Sequence, residues 1–359
     1  MKKRVLSFLT AAVMTTAMIL SGCSGSQTAA TTAAPASAET KAETAAETKA
    51  EETTTAAPAE KKEIVVGFSQ VGAESDWRTA NTESMKSTFT EANGYKLIFD
   101  DAQQKQENQL KAVRNFIQQD VDYIVIAPVT ETGWDTVLQE AKDAGIPVII
   151  VDRMINVSDD SLYTAWVGSN FLQEGYDAVA WLDEYLKKNN RADDDINIVT
   201  LQGTIGSSAQ IGRTNGVEEK MKDYPKWKML ERQTGEFTQA KGQEVMESFL
   251  KTYDDIDVVI AENDNMAFGA IDAIKAAGKT CGPNGDIVII SFDAVSAAFD
   301  AMIAGDMNVS VECNPLHGPR VAEIIEKLEK GENVDKIAYV KEGVYPADTA
   351  EAEKPKRQY

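Results

Sequence analysis

The sequence predicts an α/β chain of two doubly wound parallel-sheet lobes. Three patterns lead to that expectation. From Glu63 onward, short unbroken apolar runs alternate with amphipathic stretches of helix length, the signature of βαβ units whose strands are buried on both faces. The alternation continues for about 280 residues and gives more strands than one open sheet comfortably carries, so two sheets are expected. Finally, the residues just beyond the strand ends are acids, arginines and amides in both halves, and ligands of doubly wound sheets bind beyond the carboxyl ends of the strands.

Element by element, the first half gives strands at 64–68, 96–99, 123–126 and 148–151. Its helices are expected at 79–92, with Ala80, Met85 and Phe89 on one side, at 106–119, with Leu110, Val113 and Ile117 inward, and at 134–144. Gly145 and Pro147 punctuate the turn into the fourth strand. The second half gives strands at 196–201, 228–231, 257–261, 287–291 and 308–311, and helices at 174–188, 209–222, 239–250, 266–277 and 294–304. A helix at 320–330 and a strand near 336–340 complete the series.

The N-terminus carries a different message. Lys2, Lys3 and Arg4 precede an apolar stretch too short to span a bilayer, and Leu20-Ser21-Gly22-Cys23 closes it with small residues. Residues 1–23 therefore read as a secretory signal, and the cysteine resembles the lipobox of bacterial lipoproteins, which implies acylation of Cys23 and a membrane anchor. Residues 24–62 are almost entirely Ala, Thr, Glu, Ser and Lys with Pro35 and Pro58, a composition that cannot bury a core and reads as a disordered tether. Removing the three basic residues of the signal takes the net charge from −21 to −24. Such a chain is a poor partner for nucleic acid and suits a neutral ligand. Cys281 and Cys313 remain, either as a disulfide, which export permits, or as buried thiols. With no Cys/His cluster and a single histidine, neither a metal nor a cofactor is expected.

The strand-end residues form the candidate site. Glu74, Trp77 and Arg78 follow the first strand, Asp152 and Arg153 the fourth, and Arg213 lies on the helix after the first strand of the second half. Asn263 and Asp293 follow later strands. Carboxylates accept from two hydroxyls at once and a guanidinium donates a fixed fork, which is the equipment for gripping a polyol. Aromatic rings cover the apolar face of a sugar. Asp264 is expected to cap the following helix, leaving Asn263 for the ligand; Asp293 could cap its own helix. Trp77 would otherwise be helix-start packing, and the Asp152-Arg153 pair a plain salt bridge. His317, in a turn before Pro319, is expected to be structural. Gly203 and Gly206 lack the lysine of a phosphate loop.

Residues 67–72 (GFSQVG), 103–109 (QQKQENQ) with 111–114 (KAVR), 126–129 (IAPV) with 132–134 (TGW), 146–148 (IPV) before Asp152-Arg153, and 241–249 (KGQEVMESF) together resemble the type I sugar-binding proteins of ABC importers, the ribose-binding class, and within it the galactofuranose binders. The Gln-rich segment and the Asp76-Trp77-Arg78 element are the specific parts. The resemblance implies a type I periplasmic binding protein fold with a three-stranded hinge. Its N-terminal lobe would comprise 63–168 plus 314–340, and its C-terminal lobe 169–313 plus 341–359. It also implies a monosaccharide ligand gripped by the eight residues named above together with Phe237, with Trp77 and Phe237 as stacking rings, and ABC importer membrane subunits as partners of a monomer. Ribose binders have an amide where Cys313 stands; Glu312 or Asn314 is expected to substitute. A sugar-sensing receptor of a signalling system is the alternative role. An enzyme is disfavoured because no nucleophile, base and orienting group come together in the sequence. A DNA-binding regulator is disfavoured because an export signal and acidic tether occupy the place of its basic helices.

Overall fold

Each sheet is built around strands that are apolar at every position. Tyr123–Ile126 (β3), Val148–Val151 (β4) and Val258–Ala261 (β8) are buried throughout, so each must be covered on both faces. The computed structural model describes residues 63–359. The signal expected at 1–23, Cys23 and the tether at 24–62 lie outside the described residues. Among those described, no helix is long and apolar enough to cross a membrane.

The first sheet has six strands in the order β11-β5-β4-β3-β1-β2. These are Ile64–Gln70 (β1), Tyr95–Asp101 (β2), β3, β4, Ala165–Gly168 (β5) and Ile337–Tyr339 (β11), all parallel. Side chains alternate between its faces. Val66, Phe68, Val125 and Ile149 pack with Met85 of Asp76–Thr88 (α1) and with Val321 and Ile325 of Gly318–Glu329 (α9). Ile124, Ile126, Ile150 and Trp166 pack with Val113 and Phe116 of Gln106–Gln118 (α2) and Leu138 of Asp135–Asp143 (α3).

The second sheet repeats the plan in the order β12-β10-β9-β8-β6-β7. Its strands are Ile196–Gln202 (β6), Trp227–Thr234 (β7), β8, Val288–Asp293 (β9), Val309–Glu312 (β10) and Val344–Pro346 (β12). Leu182 and Leu186 of Phe171–Lys188 (α4) and Val217 of Ser208–Met221 (α5) cover one face. Gln239–Thr252 (α6), Asp264–Ala276 (α7) and Ser296–Ile303 (α8) cover the other. The two parallel-sheet lobes of the sequence reading are thus present. The chain passes between the sheets at 169–170, 313–317 and 340–343.

Several details depart from the expected elements. β5 was not anticipated, nor was β12, which runs antiparallel to β10. Helix α1 begins at Asp76, three residues early, because the Ser75 hydroxyl accepts from the Arg78 backbone N–H at 3.1 Å and caps it. That cap puts Trp77 and Arg78 in the first turn, beside the end of β1. Cys281 and Cys313 are both free and buried, which settles the open choice in favour of thiols.

Helices α4 and α5 pack backbone to backbone at Gly175 and Gly216. A Cβ at Gly216 would collide with the Leu172 carbonyl oxygen and lie 2.9 Å from Gly175 Cα. Gly216→Ala is therefore expected to destabilise the folded chain by about 1–3 kcal/mol through overpacking, read as a lower midpoint in urea unfolding. A midpoint unchanged from wild type would mean that the helices separate freely.

Candidate functional site

Nine side chains singled out in the sequence converge on one cavity. Glu74, Trp77, Arg78, Asp152, Arg153, Arg213, Phe237, Asn263 and Asp293 all line it, together with Ser75, Phe171, Ala209 and Cys313. The first sheet contributes the residues after β1 and β4. The second contributes those after β6, β7, β8, β9 and β10. The lobes touch around this cavity: Asp76 N–H donates to Asn265 Oδ1 at 3.0 Å, Met154 N–H to Ser208 Oγ at 2.8 Å, and Glu131 N–H to the Gly206 carbonyl at 3.0 Å.

On the first-lobe side, Arg78 donates from Nε to Glu74 Oε1 at 3.0 Å and pairs through Nη2 with Asp152 Oδ2 at 2.8 Å. Gln70 Oε1 receives Nη1 at 3.2 Å, so the guanidinium is held on three sides. Arg153 lies 3.8 Å from Glu74 Oε1 and 3.9 Å from Asp152 Oδ2, and its Nη1 donates to the Val129 carbonyl at 3.1 Å. Glu74 Oε2 is buried without a partner. The Trp77 ring packs under Arg78 at 4.6 Å, and its indole N–H donates to the Cys313 carbonyl at 2.6 Å.

On the second-lobe side, Arg213 is the organiser. It donates to Glu174 Oε2 at 2.6 Å, to Asp293 Oδ1 at 3.3 Å and to the Glu262 carbonyl. The Phe237 ring lies 5.1 Å from the Arg153 guanidinium, so it spans to the opposite lobe. Gly203 makes room for that ring, since any Cβ there would fall inside it. Asp152 (φ 61°), Phe237 (φ 61°) and Asp293 (φ 109°) sit in backbone conformations that side chains seldom adopt, and such strain concentrates at ligand sites.

Burial shapes the charges. It pulls the Arg78 and Arg213 guanidiniums down, but Asp152 with Glu74, and Glu174 with Asp293, more than offset it and leave both raised. Arg153 is lowered to about 10 by burial and by Arg78. Burial raises Asp293 well above the usual carboxylate range despite Arg213, and lifts Glu262 to about 7.

The capping expectation is reversed. Asn263, not Asp264, caps α7, its Oδ1 accepting from Met266 N–H at 2.9 Å while Nδ2 donates to the Phe237 carbonyl at 3.0 Å. Asn263 nonetheless lines the cavity. Asp264 points into the lobe, accepting from Ser310 Oγ at 2.8 Å, Val295 N–H at 2.9 Å and Ser291 Oγ. Asp293 does not cap α8, which Val295 precedes with no side-chain cap. Neither proposed substitute for Cys313 reaches the cavity. Glu312 holds Arg357 at 3.0 Å and Tyr359 at 2.8 Å, and Asn314 folds onto Leu316 N–H at 2.9 Å; Cys313 itself lines the wall. His317 is buried against Asn81 at 3.0 Å, with burial lowering it to about 4. Among the supporting residues, Gln70 and Glu262 are strand-end residues in the sequence that were not chosen for the site, and Glu174 was not singled out. Their signal is position: each lies at a strand end or in the first turn of the next helix.

A family model described as the periplasmic binding protein domain matches residues 66–332. The galactofuranose-binding protein YtfQ of Escherichia coli K12 is 45% identical over 299 residues, covering 82% of this chain and 92% of the relative. A solved structure from Mycobacterium smegmatis in complex with β-D-fucofuranose is 45% identical, with a TM-score of 0.78 over 82% of this chain and 95% of that one. The binding component of the arabinose ABC transporter of Shewanella sp. ANA-3, bound to α- and β-L-arabinofuranose, is 47% identical, with a TM-score of 0.77 and the same coverage.

Arg213→Ala removes the cation from two buried acids at once. It is expected to destabilise the fold by about 3–5 kcal/mol, measurable by chemical denaturation. A loss under about 1 kcal/mol would show that water replaces the guanidinium without penalty.

Proposed function

The chain belongs to the periplasmic binding protein family, and from that premise we propose that it is the exported solute receptor of an ABC importer, capturing one neutral monosaccharide in the furanose form. Galactofuranose is the first candidate; arabinofuranose and fucofuranose are close alternatives. The observation that carries this reading is the convergence of nine strand-end side chains from both sheets on a single small cavity.

Its chemistry favours a polyol. Three guanidinium groups and three carboxylates line the wall and are paired with one another, so the cavity has no formal charge for an ion to answer. A sugar hydroxyl both donates and accepts, and can fit between an Arg78 fork and a Glu74 or Asp152 oxygen. The unpartnered Glu74 Oε2 is an acceptor in want of such a hydroxyl. Trp77 and Phe237 offer faces to the ring. The acids are held by cations rather than posed beside a nucleophile, which favours binding over catalysis. Three relatives at 45–47% identity are named for furanoses, which favours that ring form.

Capture proceeds by closure. The sugar bridges half-sites on the two lobes and draws them together about the crossings at 169–170, 313–317 and 340–343. Export and acylation at Cys23 tether the receptor to the cell surface. Cys23→Ser should release it from membranes in a fractionation assay.

Titration calorimetry with a panel of furanose and pyranose sugars tests the reading. At least one furanose should bind, and Asp152→Ala and Arg153→Ala should each weaken it by about 2–4 kcal/mol, because the partners left behind are buried. Failure of every sugar to bind, or unchanged affinity in both variants, would overturn it.

A further inference from the structure

Behind the cavity, the three crossings meet at one carboxyl group. Glu342 lies on the third crossing. Its Oε1 accepts from Ser169 Oγ on the first at 2.6 Å and from Asn314 N–H on the second at 2.6 Å. Ser169 Oγ is also 3.2 Å from Cys313 Sγ. Ligating atoms of Glu174, Cys313 and Glu342 all lie within 4.8 Å of one another. Glu174 is the residue that holds Arg213 through Oε2, while its Oε1 is buried without a partner. Two carboxyl groups and a thiol therefore crowd together between the ligand cavity and a second cleft lined by Glu174 and Glu342.

Two carboxylates that close in a poorly solvated site cannot both stay ionised at little cost. A proton on one of them removes the repulsion. The surrounding groups do not supply the missing cation. Glu174 and Asp177 face the cluster from α4, Asp293 from β9, Glu312 from β10, Tyr359 from the C-terminal segment and Asp152 from the other lobe; the cation acting on it most strongly among the described residues is Arg213 from α5, and it is already engaged.

We infer that Glu342 and Glu174 are positioning residues that together hold one proton in the folded receptor, and that this proton lets Glu174 fix Arg213 in the cavity wall, so that the sugar is bound more tightly by the protonated form. Neither residue is among the nine site candidates. The inference rests on the sugar-binding reading for its ligand, but the shared proton itself does not. Burial, then Glu174, raises Glu342 to about 8, and burial raises Glu174 to about 6 against the pull of Arg213. The sign follows. A carboxyl raised in the folded chain holds a proton that the unfolded chain has released, and the protonated form, which leaves Glu174 to fix Arg213, is the one that binds the sugar more tightly. Both affinity and stability therefore fall as pH rises from the ordinary carboxylate range, and level off above about 8.

Two measurements on the purified receptor test this, with Glu342→Gln as the variant, since the amide is a permanently neutral mimic of the protonated acid. First, melting temperature is followed from pH 5.5 to 9 without ligand. The wild type should lose stability toward pH 8, and the variant should show a flatter profile; Glu262 titrates in both and cancels from the comparison. Second, arabinofuranose and galactofuranose affinities are measured by calorimetry over the same range in buffers of different ionisation enthalpy. Wild-type affinity should fall by up to about tenfold per pH unit below 8 with net proton uptake, and Glu342→Gln should bind with little pH dependence. Identical pH profiles for the two proteins would overturn the inference, as would a wild-type profile that EDTA flattens, since a divalent metal ion would then join the three groups. If no sugar binds, the melting profiles still decide on the proton, so the two readings fail separately.

Discussion

Two buried guanidinium groups hold this structure's working surfaces in place. Arg78 ties the start of α1 to the end of β4 through Asp152, and Arg213 ties α4 to β9 through Glu174 and Asp293. Each reaches across strand ends that the backbone ladder does not connect. Removing charges from water is expensive, and the interaction repays that cost only when every proton of the fork finds an acceptor. Arg78 is met by Glu74, Asp152 and Gln70, and Arg213 by two carboxylates and a carbonyl. The consequence for function is preorganisation. A ligand meets side chains whose rotamers are already set, and loses less to ordering them.

The same constraint explains why the cavity lies where it does. Parallel strands buried on both faces can expose polar groups only at their ends, and in two stacked doubly wound lobes the carboxyl ends of both sheets face one gap. The three strands of β8's neighbourhood make the point. Val258–Ala261 is wholly apolar, and the next three residues then fan out: Glu262 toward Gly203 and Thr214, Asn263 into the cavity, Asp264 under β9 and β10.

That fan marks the limit of sequence reading. The helices and the central strands were legible because each carries a long periodic or wholly apolar run. Strand β5 was not, since Ala165–Gly168 is four residues ending in glycine, and β12 was not, since it ends in Pro346 and gains its place only by pairing with β10. The strand-end rule brought eight of the nine residues to one cavity, Phe237 coming from the family resemblance, yet the rule does not say which neighbour turns inward. It could not separate Asn263 from Asp264, because both can cap a helix and the choice is made by Ser291 and Ser310, distant in sequence. Gln70, Glu174 and Glu262 were not chosen for a related reason: they touch the guanidiniums rather than line the gap, and second partners of a charge become visible only once the strands are aligned. The Glu174–Cys313–Glu342 cluster draws on α4 and two crossings, which no local pattern joins.

The balance of charge across these two neighbouring places accounts for their different behaviour. Around the cavity, acids and guanidiniums match in number, so a neutral polyol enters without disturbing the balance, whereas a sugar acid or an amino sugar would leave one charge buried and unanswered. At the crossings, acids outnumber the single engaged cation. A proton is the smallest species that restores neutrality there, and it can come and go without moving the backbone. The segments about which the lobes turn therefore carry the imbalance. A receptor arranged in this way selects by hydroxyl geometry at one place and answers to its medium at another, and Arg213, held by Glu174 at 2.6 Å, is the side chain through which the second reaches the first.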